Sequence, residues 1–329
     1  MKQDANPKLT VIVVCFNMCR EAQRTLYSLS SNYQRHVEPS DYQVIVVDNN
    51  SSDPLDKETV ESFGSNFEYH YFNTESVSPA EAINYGAGLA LGDLLACIVD
   101  GARMLSPGVI KNSLIASHAF NNPFVTSLAW HLGPKEQNVS MLEGYDQATE
   151  DKLLESIDWQ SDGYQLFDIS TQASSSRVGF FGGIPEELSY FVIRKSVFLE
   201  MGGFCEEFQA PGGGLVSHDF LQRALKLEDL DIIMLLGEGS FHQFHGGVAT
   251  NAIPEEHPFA AFSKEFWEIR GRKFELVEQP TATDINYLGS MPKTAVKFIR
   301  GRENELKYQS HASTNPGDRH RLTSQHESH

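Results

Sequence analysis

An α/β fold with a mostly parallel central sheet, flanked by helices, is predicted by three observations. Fully apolar runs, which are typical of strands buried on both faces, recur along the first third of the chain. Segments with apolar residues at helical spacing lie between these runs, and polar turns follow them. Such alternation predicts parallel strands joined by right-handed crossovers. Because ligands of open α/β sheets gather beyond the carboxyl ends of the strands, we expect the functional site there.

The predicted elements follow in chain order. The apolar runs predict strands at 9–16, 42–47, 67–72, 94–99 and 188–193. Helical spacing predicts helices at 20–33, 146–157, 196–201, 218–227 and 255–276, and the polar stretch 160–176 predicts a loop. One more helix follows the third strand, with Ser78 as N-cap, Pro79 at its first position and Glu81 completing a capping box, and Gly92 can end it.

The composition limits the classes of partner. The chain has 329 residues, of which 40% are hydrophobic, and this is enough for a large core. With 26 Lys and Arg against 44 Asp and Glu, the formal charge is −18, which argues against nucleic acid as a partner. A nucleotide ligand stays compatible with this charge, because a metal or a helix N-terminus can neutralise phosphates locally.

The cysteines and the apolar runs bear on location. Few cysteines, no secretory leader and no apolar run long enough to span a bilayer predict a reducing, cytoplasmic location. The basic segment 291–302 has two interpretations. It either packs on the core as a solvated helix or rests on an anionic membrane surface, which would place the protein at the inner face of a membrane.

Two aspartates end predicted strands. Asp100 follows the run 94–99, where a carboxylate can hold a divalent cation and the cation can hold phosphate oxygens, or where it can cap a turn before Pro107. Asp48 ends the second strand, where it can accept a hydrogen bond from a base N–H or form an Asx-turn in its own loop. The first strand, from Thr10 to Asn17, points to the same edge.

The second half of the chain adds further candidates. Asp219, preceded by His218, opens a helix after a glycine-rich loop, so its carboxylate either caps the helix or serves as a general base. His242 and His245 lie among aromatic and glycine residues, and we expect one of the two imidazoles to bind a metal. The aromatic stripe around Trp267 predicts either core or the wall of an acceptor site.

In their order and spacing these segments resemble family 2 glycosyltransferases, which have the GT-A fold, over about residues 8–250. The resembling segments are VIVVCFNMCREAQRTLYSL, VIVVDNNSSD, AINYGAGLALGDLLACIVDGARMLSPG, YFVIRKSVFLEMGGFCEEF and HDFLQRAL. The resemblance implies a catalytic domain at 1–250, with a nucleotide-sugar-binding half at 8–110 and an acceptor half at 111–250. A C-terminal helical extension at 251–307 and a polar, disordered tail at 308–329 would follow.

The resemblance also implies residue roles. Asp48 would bind the base of the donor, Asp100 matches the first Asp of an Asp-x-Asp motif, and Asp219 would be the catalytic base. The metal, Mn²⁺ or Mg²⁺, would be bound by Asp100 with His245, in preference to His242. The remaining implied contacts are Thr10, Asn17, Asn84 and Arg103 for the donor nucleotide, and His218 and Trp267 for the acceptor.

Two positions depart from the family pattern. Ala102 stands where the second Asp of Asp-x-Asp would be, and His218 stands where a Glu would precede the base. Loss of a carboxylate removes one oxygen ligand, which should weaken the binding of Mn²⁺ or Mg²⁺. The metal could still be held by Asp100, His245 and the donor diphosphate, or Arg103 could help neutralise the diphosphate without a metal.

The implied function is transfer of a sugar, with inversion, from a nucleotide-diphosphate donor to a hydroxyl of a glycan or lipid-linked acceptor. We expect a UDP-sugar as donor and a place in polysaccharide biosynthesis. A nucleotidyltransferase is disfavoured, because the loop from Phe16 to Arg20 is not the glycine-rich, basic phosphate loop that this class needs. The alternative is a non-catalytic nucleotide-sugar-binding or scaffold protein, for which Ala102 is the evidence.

Overall fold

The computed structural model describes residues 6–247, 252, 257–281 and 283–299, and one ten-stranded sheet lies at the centre of this part of the chain. The strands are β1 (Leu9–Cys15), β2 (Tyr42–Asp48), β3 (Phe67–Tyr71), β4 (Leu94–Ile98), β5 (Arg103–Leu105), β6 (Pro123–Leu132), β7 (Ser170–Gln172), β8 (Tyr190–Arg194), β9 (Asp231–His242) and β10 (Ile285–Gly289). The helices are α1 (Cys19–Leu29), α2 (Lys57–Glu61), α3 (Ala80–Leu89), α4 (Val109–Ala119), α5 (Gln137–Leu142), α6 (Gln147–Glu155), α7 (Lys195–Glu200), α8 (Val216–Ala224) and α9 (Phe259–Arg270).

The first four strands form a parallel sheet that is covered on both faces. β1 lies between β2 and β4, and β3 continues beyond β2. Val11 and Val13 pack with Leu26 of α1 on one face, whereas Ile12 packs with Ile83 of α3 on the other. Every residue of β1, β2 and β4 is buried, which explains why their sequences are mostly apolar and do not alternate between apolar and polar residues.

The second half of the sheet mixes strand directions. β8 runs antiparallel to both β4 and β6, and β6 runs parallel to β9. The short strands β5 and β7 pair antiparallel with β9 and β6. Because Ile98 at the end of β4 lies opposite Tyr190 at the start of β8, residues just before β8 leave the sheet at the same edge as residues just after β4.

The predicted fold class is confirmed, and the differences from the predicted elements are local. The capping box of α3 does not form, because Glu81 Oε2 accepts its hydrogen bond from Thr74 Oγ1 and not from the start of the helix. The helix ends at Leu89, and Gly92 instead lies against the backbone of β1. The predicted loop at 160–176 contains β7.

The C-terminal extension contributes more than helix. It contains α9, as predicted, and also β10, which adds a strand parallel to β9 that the sequence analysis did not predict. The domain borders stay predictions. The tail at 308–329 lies outside the described residues.

In the described part of the chain no helix combines the length and the apolar character needed to cross a bilayer. The basic segment 291–302 is described as far as residue 299. Ala295 is fully buried, the ring of Phe298 meets that of Trp130 at a centroid distance of 5.3 Å, and Lys297 Nζ donates to the carbonyl of Asp168 at 3.1 Å. The apolar side chains of this segment therefore pack on the core.

Candidate active site

A cavity of about 430 Å³ lies beyond the carboxyl ends of β1 and β4, which we call the central cavity. Its polar lining residues are Asn17, Asn49, Asp100, Arg103, Glu187, Ser217 and His245. Val14, Phe16 and Phe262 are among its apolar lining residues. The cavity therefore lies at the edge of the sheet where the sequence analysis expects a ligand.

Asp100, His242 and His245 form a group whose ligand atoms all lie within 4.8 Å of one another. His242 Nε2 lies 3.3 Å from Asp100 Oδ2 and 3.1 Å from His245 Nε2. The pairing of β5 with β9 creates this group, because it places Arg103 opposite His242 and so brings the turn after Asp100 beside the end of β9. The sequence pattern predicted one of the two histidines as a metal ligand, and the structure brings both beside Asp100.

The charges of this group suit a divalent cation. Burial alone would raise the pKa of Asp100, but its polar surroundings, chiefly the positive charge of Arg103, hold that pKa well below its usual range. Burial lowers the pKa of His242 to about 3. At neutral pH the group therefore offers one carboxylate and the lone pairs of imidazole nitrogens, which is a chemically fitting ligand set for a transition metal.

Asp100 also caps the turn that follows it, which is the second role that the sequence allowed. Its Oδ1 accepts a hydrogen bond from Ala102 N at 2.8 Å, so the carboxylate orders its own turn while Oδ2 faces His242. Ala102 is fully buried, and the position that lacks the second carboxylate is thus packed into the core.

Arg103 is the cation that lines the central cavity. Its Nε lies 3.4 Å from Asp100 Oδ2, yet this nitrogen is buried and has no hydrogen-bond partner among the described residues. A buried donor without a partner costs free energy, on the order of 1–3 kcal/mol, unless a ligand satisfies it. Arg103 therefore adds a positive charge to the cavity wall beside Asp100.

Asp48 does not reach the central cavity. It is fully buried, its Oδ1 accepts from Ser51 N at 2.8 Å, and its Oδ2 accepts from Leu55 N at 3.1 Å. The Asx-turn therefore uses the carboxylate that the resemblance assigned to the base. The next residue, Asn49, lines the cavity instead, and its buried Oδ1 has no hydrogen-bond partner in the described structure.

Asn49 is a site residue that the sequence analysis missed. Its Nδ2 donates to the carbonyls of Ser76 and Ser78, which holds the amide so that Oδ1 is free. The sequence signal for Asn49 is its position as the second polar residue after the buried run 42–47, directly behind Asp48.

Asp219 also lies outside the central cavity, with a side chain that is 1% exposed. Its Oδ1 accepts from Arg270 Nε at 2.6 Å, and its Oδ2 accepts from Arg270 NH2 at 2.8 Å and from Arg223 Nε at 2.9 Å. Burial opposes ionisation, but these hydrogen bonds and charges lower its pKa. A carboxylate held in this way is a weak base without access to a hydroxyl, so the geometry argues against the predicted role. Ser217 is the polar residue of α8 that lines the cavity.

Two predicted donor contacts have structural partners elsewhere. Thr10 lies at the far end of β1, where its hydroxyl donates to Gln43 Oε1 and accepts from Gly92 N. Asn84 connects α3 to the loop after α7, since its Oδ1 accepts from Phe204 N and its Nδ2 donates to the carbonyl of the same residue. Asn17 does line the cavity, and its Oδ1 accepts from Ser52 N.

The predicted acceptor contacts do not line the central cavity either. Trp267 is 52% exposed on the surface of α9, and His218 packs edge-on against Phe274 at 5.2 Å. The acceptor half contributes Glu187 instead, which follows from the register of β4 and β8. Within the described residues the carboxylate of Glu187 makes neither a hydrogen bond nor an ion pair, whereas Asp100, the other carboxylate of the lining, has both.

Comparison with known proteins finds one family model that matches the N-terminal part of the chain. Residues 10–101 match the family model described as Glycosyl transferase family 2. The match contains β1 to β4 with Asn17, Asn49 and Asp100. Among curated proteins no match is found.

Solved structures show distant similarity. The chain is similar to S. aureus TarS 1-349 in complex with UDP, with 14% identity over 82% of this chain and 67% of that chain and a TM-score of 0.49. It is also similar to the mannosyltransferase PcManGT from Pyrobaculum calidifontis in complex with GDP-Man and Mn²⁺, with 12% identity over 97% and 84% and a TM-score of 0.45. In another match the chain spans 60% of TarS 1-349. Such distant likeness identifies neither the donor nor the metal of this chain.

Proposed function

We propose that this protein is a glycosyltransferase that moves a sugar from a nucleotide-diphosphate donor, expected to be a UDP-sugar, to a hydroxyl acceptor. The observation that carries the proposal is the group of Asp100, His242 and His245 beside Arg103, at the carboxyl-end edge of a sheet whose first part matches a glycosyltransferase family. A carboxylate, two imidazoles and a guanidinium at one end of a cavity suit the diphosphate of such a donor.

The donor would lie along the ends of β1, β2 and β4. Asn49 Oδ1, a buried acceptor without a partner in the described residues, can accept the N–H of a nucleobase. Arg103 would face the diphosphate. Asp100, His242 and His245 would hold a divalent cation, for which two imidazoles favour Mn²⁺ over Mg²⁺. When bound, the cation would supply Lewis-acid stabilisation of the leaving diphosphate.

We assign the base to Glu187 rather than to Asp219. Glu187 is the cavity carboxylate that makes no hydrogen bond or ion pair with another described residue. It lies just before β8, at the sheet edge where β4 ends and Asp100 follows. The acceptor hydroxyl would give its proton to Glu187 as its oxygen forms a bond to the anomeric carbon. The bond from that carbon to the diphosphate oxygen would break with its electron pair on the leaving group, and the configuration would invert.

The acceptor class and the setting remain proposals. A glycan or lipid-linked acceptor, a role in polysaccharide biosynthesis and a cytoplasmic location are consistent with the family over residues 10–101. The proposed membrane contact through 291–302 has little support, because the apolar residues described in that segment pack on the core.

A second candidate function is nucleotide binding without transfer. Two observations favour it. Ala102 is buried at the position where the family pattern has a second metal-binding carboxylate, and the carboxylate of Asp219 forms ion pairs with Arg223 and Arg270. Both candidates need the donor site, and only the transferase needs Glu187.

The donor site is tested by calorimetric titration of UDP and GDP, with and without Mn²⁺. We expect Mn²⁺-dependent binding that weakens at least about tenfold in Asp100→Ala. The matched control is Asp162→Ala, which removes an exposed aspartate from an ion pair with Arg35 and should change nothing. If neither nucleotide binds the wild-type protein, the proposed function is wrong.

The base is tested by release of UDP from UDP-sugars in the presence of a panel of glycan acceptors. Glu187→Gln should lower the rate by about 10²-fold or more while it retains UDP binding. Asp219→Asn should keep the rate per folded molecule. A wild-type rate in Glu187→Gln would refute the assignment, and UDP binding without release in the wild-type protein would favour the second candidate.

A further inference from the structure

We infer that Gln137 is a positioning residue for His242, which fixes the imidazole so that its Nε2 lone pair faces Asp100 and His245. The inference rests on the proposed function, because it concerns the residues that would hold the cation. It assigns a role to a side chain of α5 that lies outside the segment matched by the family model.

The contact is short and completely buried. Gln137, the first residue of α5, is 2% exposed, and His242, the last residue of β9, is 1% exposed. The atoms His242 Nδ1 and Gln137 Oε1 lie 2.6 Å apart. An amide oxygen only accepts, so His242 Nδ1–H is the donor in this hydrogen bond.

The proton on Nδ1 decides what the other nitrogen can do. A neutral imidazole carries one proton, so a proton held at Nδ1 leaves a lone pair on Nε2. That nitrogen lies 3.3 Å from Asp100 Oδ2 and 3.1 Å from His245 Nε2. A lone pair directed at a carboxylate is unfavourable unless a cation lies between them, so the tautomer that Gln137 selects suits a metal site.

The other end of the Gln137 amide, its Nε2, is less well satisfied than its oxygen. This nitrogen is buried and makes no hydrogen bond of ordinary geometry with a described residue, although the amide also interacts with the neighbouring imidazole of His131. An unsatisfied buried donor costs about 1–3 kcal/mol. An apolar side chain would avoid this cost, so packing alone does not explain a glutamine here. Orientation of a ligand imidazole through its second nitrogen does explain it.

The residues just before His245 are held by side chains and backbone other than Gln137, which makes the role of Gln137 separable. Phe244 N donates to Glu150 Oε2 at 2.7 Å, and Gln243 Nε2 donates to the carbonyl of Glu21 at 3.0 Å. The loop after β9 is thus fixed from α6 and α1. A change at Gln137 should alter the imidazole of His242 and leave the loop in place.

The first test measures Mn²⁺ alone, by calorimetry and by the EPR signal of free Mn²⁺. Gln137→Met keeps the volume but removes the acceptor, and we expect Mn²⁺ affinity to fall by about 10–100-fold. Gln137→Glu keeps an acceptor oxygen and should retain the wild-type affinity within a few-fold. The matched control is Gln147→Met at the first residue of α6, which should bind Mn²⁺ like the wild type.

The second test reads the imidazole without any metal. ¹⁵N NMR of histidine-labelled protein should show His242 with its proton on Nδ1, and Gln137→Met should lose that preference while the melting temperature reports that the protein is folded. A proton on Nε2 in the wild type, equal Mn²⁺ affinity of Gln137→Met and wild type, or no Mn²⁺ binding at all would each overturn the inference. If Gln137→Met lowers the Mn²⁺ affinity as expected but UDP does not bind the wild-type protein, the inference stands and the proposed function fails.

Discussion

The carboxylate of Asp219 binds two guanidinium groups, from Arg223 one turn later in α8 and from Arg270 at the end of α9. Arg223 also donates to the backbone carbonyls of Met201 and Gly203. One buried aspartate therefore joins α8, the loop after α7 and the C-terminal helix. These contacts join packed elements, and the prediction that follows from them concerns stability.

Asp219→Asn should destabilise the protein by roughly 3 kcal/mol at pH 7, because it leaves two guanidinium groups without their charge partner. The pKa of Asp219 is lowered on folding, so its contribution is fully present above the unfolded value of 3.8 and is lost as the pH falls through the lower folded value. Urea unfolding at pH 7 and pH 3 should show the difference from wild type shrinking at pH 3.

The exposed pair of Asp162 with Arg35 provides the control for this prediction. Asp162→Asn should change the free energy of unfolding by less than about 1 kcal/mol. Equal effects of the two substitutions would show that Asp219 does not join the elements as described.

The candidate site could be predicted from sequence to the level of Asp100, Asn17, Arg103 and the two histidines, since these follow strands whose ends meet. Glu187 could not be found, because its place depends on the antiparallel pairing of β8 with β4, which no local pattern in the sequence encodes. Asp48 and Asp219 bind neighbouring donors and do not line the cavity, because a carboxylate in a turn or helix binds whichever donors are nearest.

At the scale of elements, Glu238 of β9 joins three parts of the chain. It accepts hydrogen bonds from Gly108 N and Asn112 Nδ2 at the start of α4, from Tyr164 Oη and from Ser106 Oγ. Burial raises its pKa to about 6 in spite of these donors. The carboxylate thus caps the start of α4, although its burial favours the protonated form.

The raised pKa of Glu238 gives a pH dependence. Its contribution to stability is fully present below the unfolded value of 4.5 and is lost as the pH rises through about 6. Glu238→Gln should remove this decline, which amounts to about 1 kcal/mol between pH 5 and pH 7. It should also lower stability at both pH values by about 1–3 kcal/mol, because the amide nitrogen would face donors. Unfolding in urea at the two pH values checks both effects.

Gly92 allows α3 and β4 to approach β1. A Cβ at this position would lie 2.8 Å from Leu9 C and from Thr10 N, which are backbone atoms that cannot move aside locally. Gly92→Ala should therefore cost about 1–3 kcal/mol. A matched control lies in α3, where a Cβ on Gly88 would meet nothing within 4 Å.

Gly88→Ala should stabilise the protein by roughly 0.5–1 kcal/mol, because alanine loses less backbone entropy in a helix. Thermal or urea unfolding of the two variants should give shifts of opposite sign. Shifts of the same sign would contradict the close packing of Gly92 on β1.

The elements themselves were largely predictable. Buried parallel strands have mostly apolar sequences, and β1, β2 and β4 are the clearest examples. β10 was missed because INYLG is short and only its first residue is buried, so its strand conformation depends on pairing with β9. The capping box of α3 failed because Thr74, outside the helix, competes for Glu81.

For the whole molecule, charge and packing give one expectation. The formal charge is −18, and the apolar residues described in 291–299 pack on the core. The protein should therefore stay in the supernatant when it is mixed with phosphatidylserine vesicles at physiological salt. Co-sedimentation that disappears when residues 291–329 are deleted would contradict this expectation and restore the membrane interpretation.

The strand order has a consequence for synthesis on the ribosome. β6 is made before β8 yet lies beyond it in the sheet, between β8 and β9. Until residues 190–194 emerge, β4 has an open edge of backbone groups, and β6 lacks both β8 and β9 and can pair only with the short β7. Open edges of apolar strands invite pairing with other chains. A nascent chain stopped before residue 190 would therefore be the form of this protein in greatest need of a chaperone.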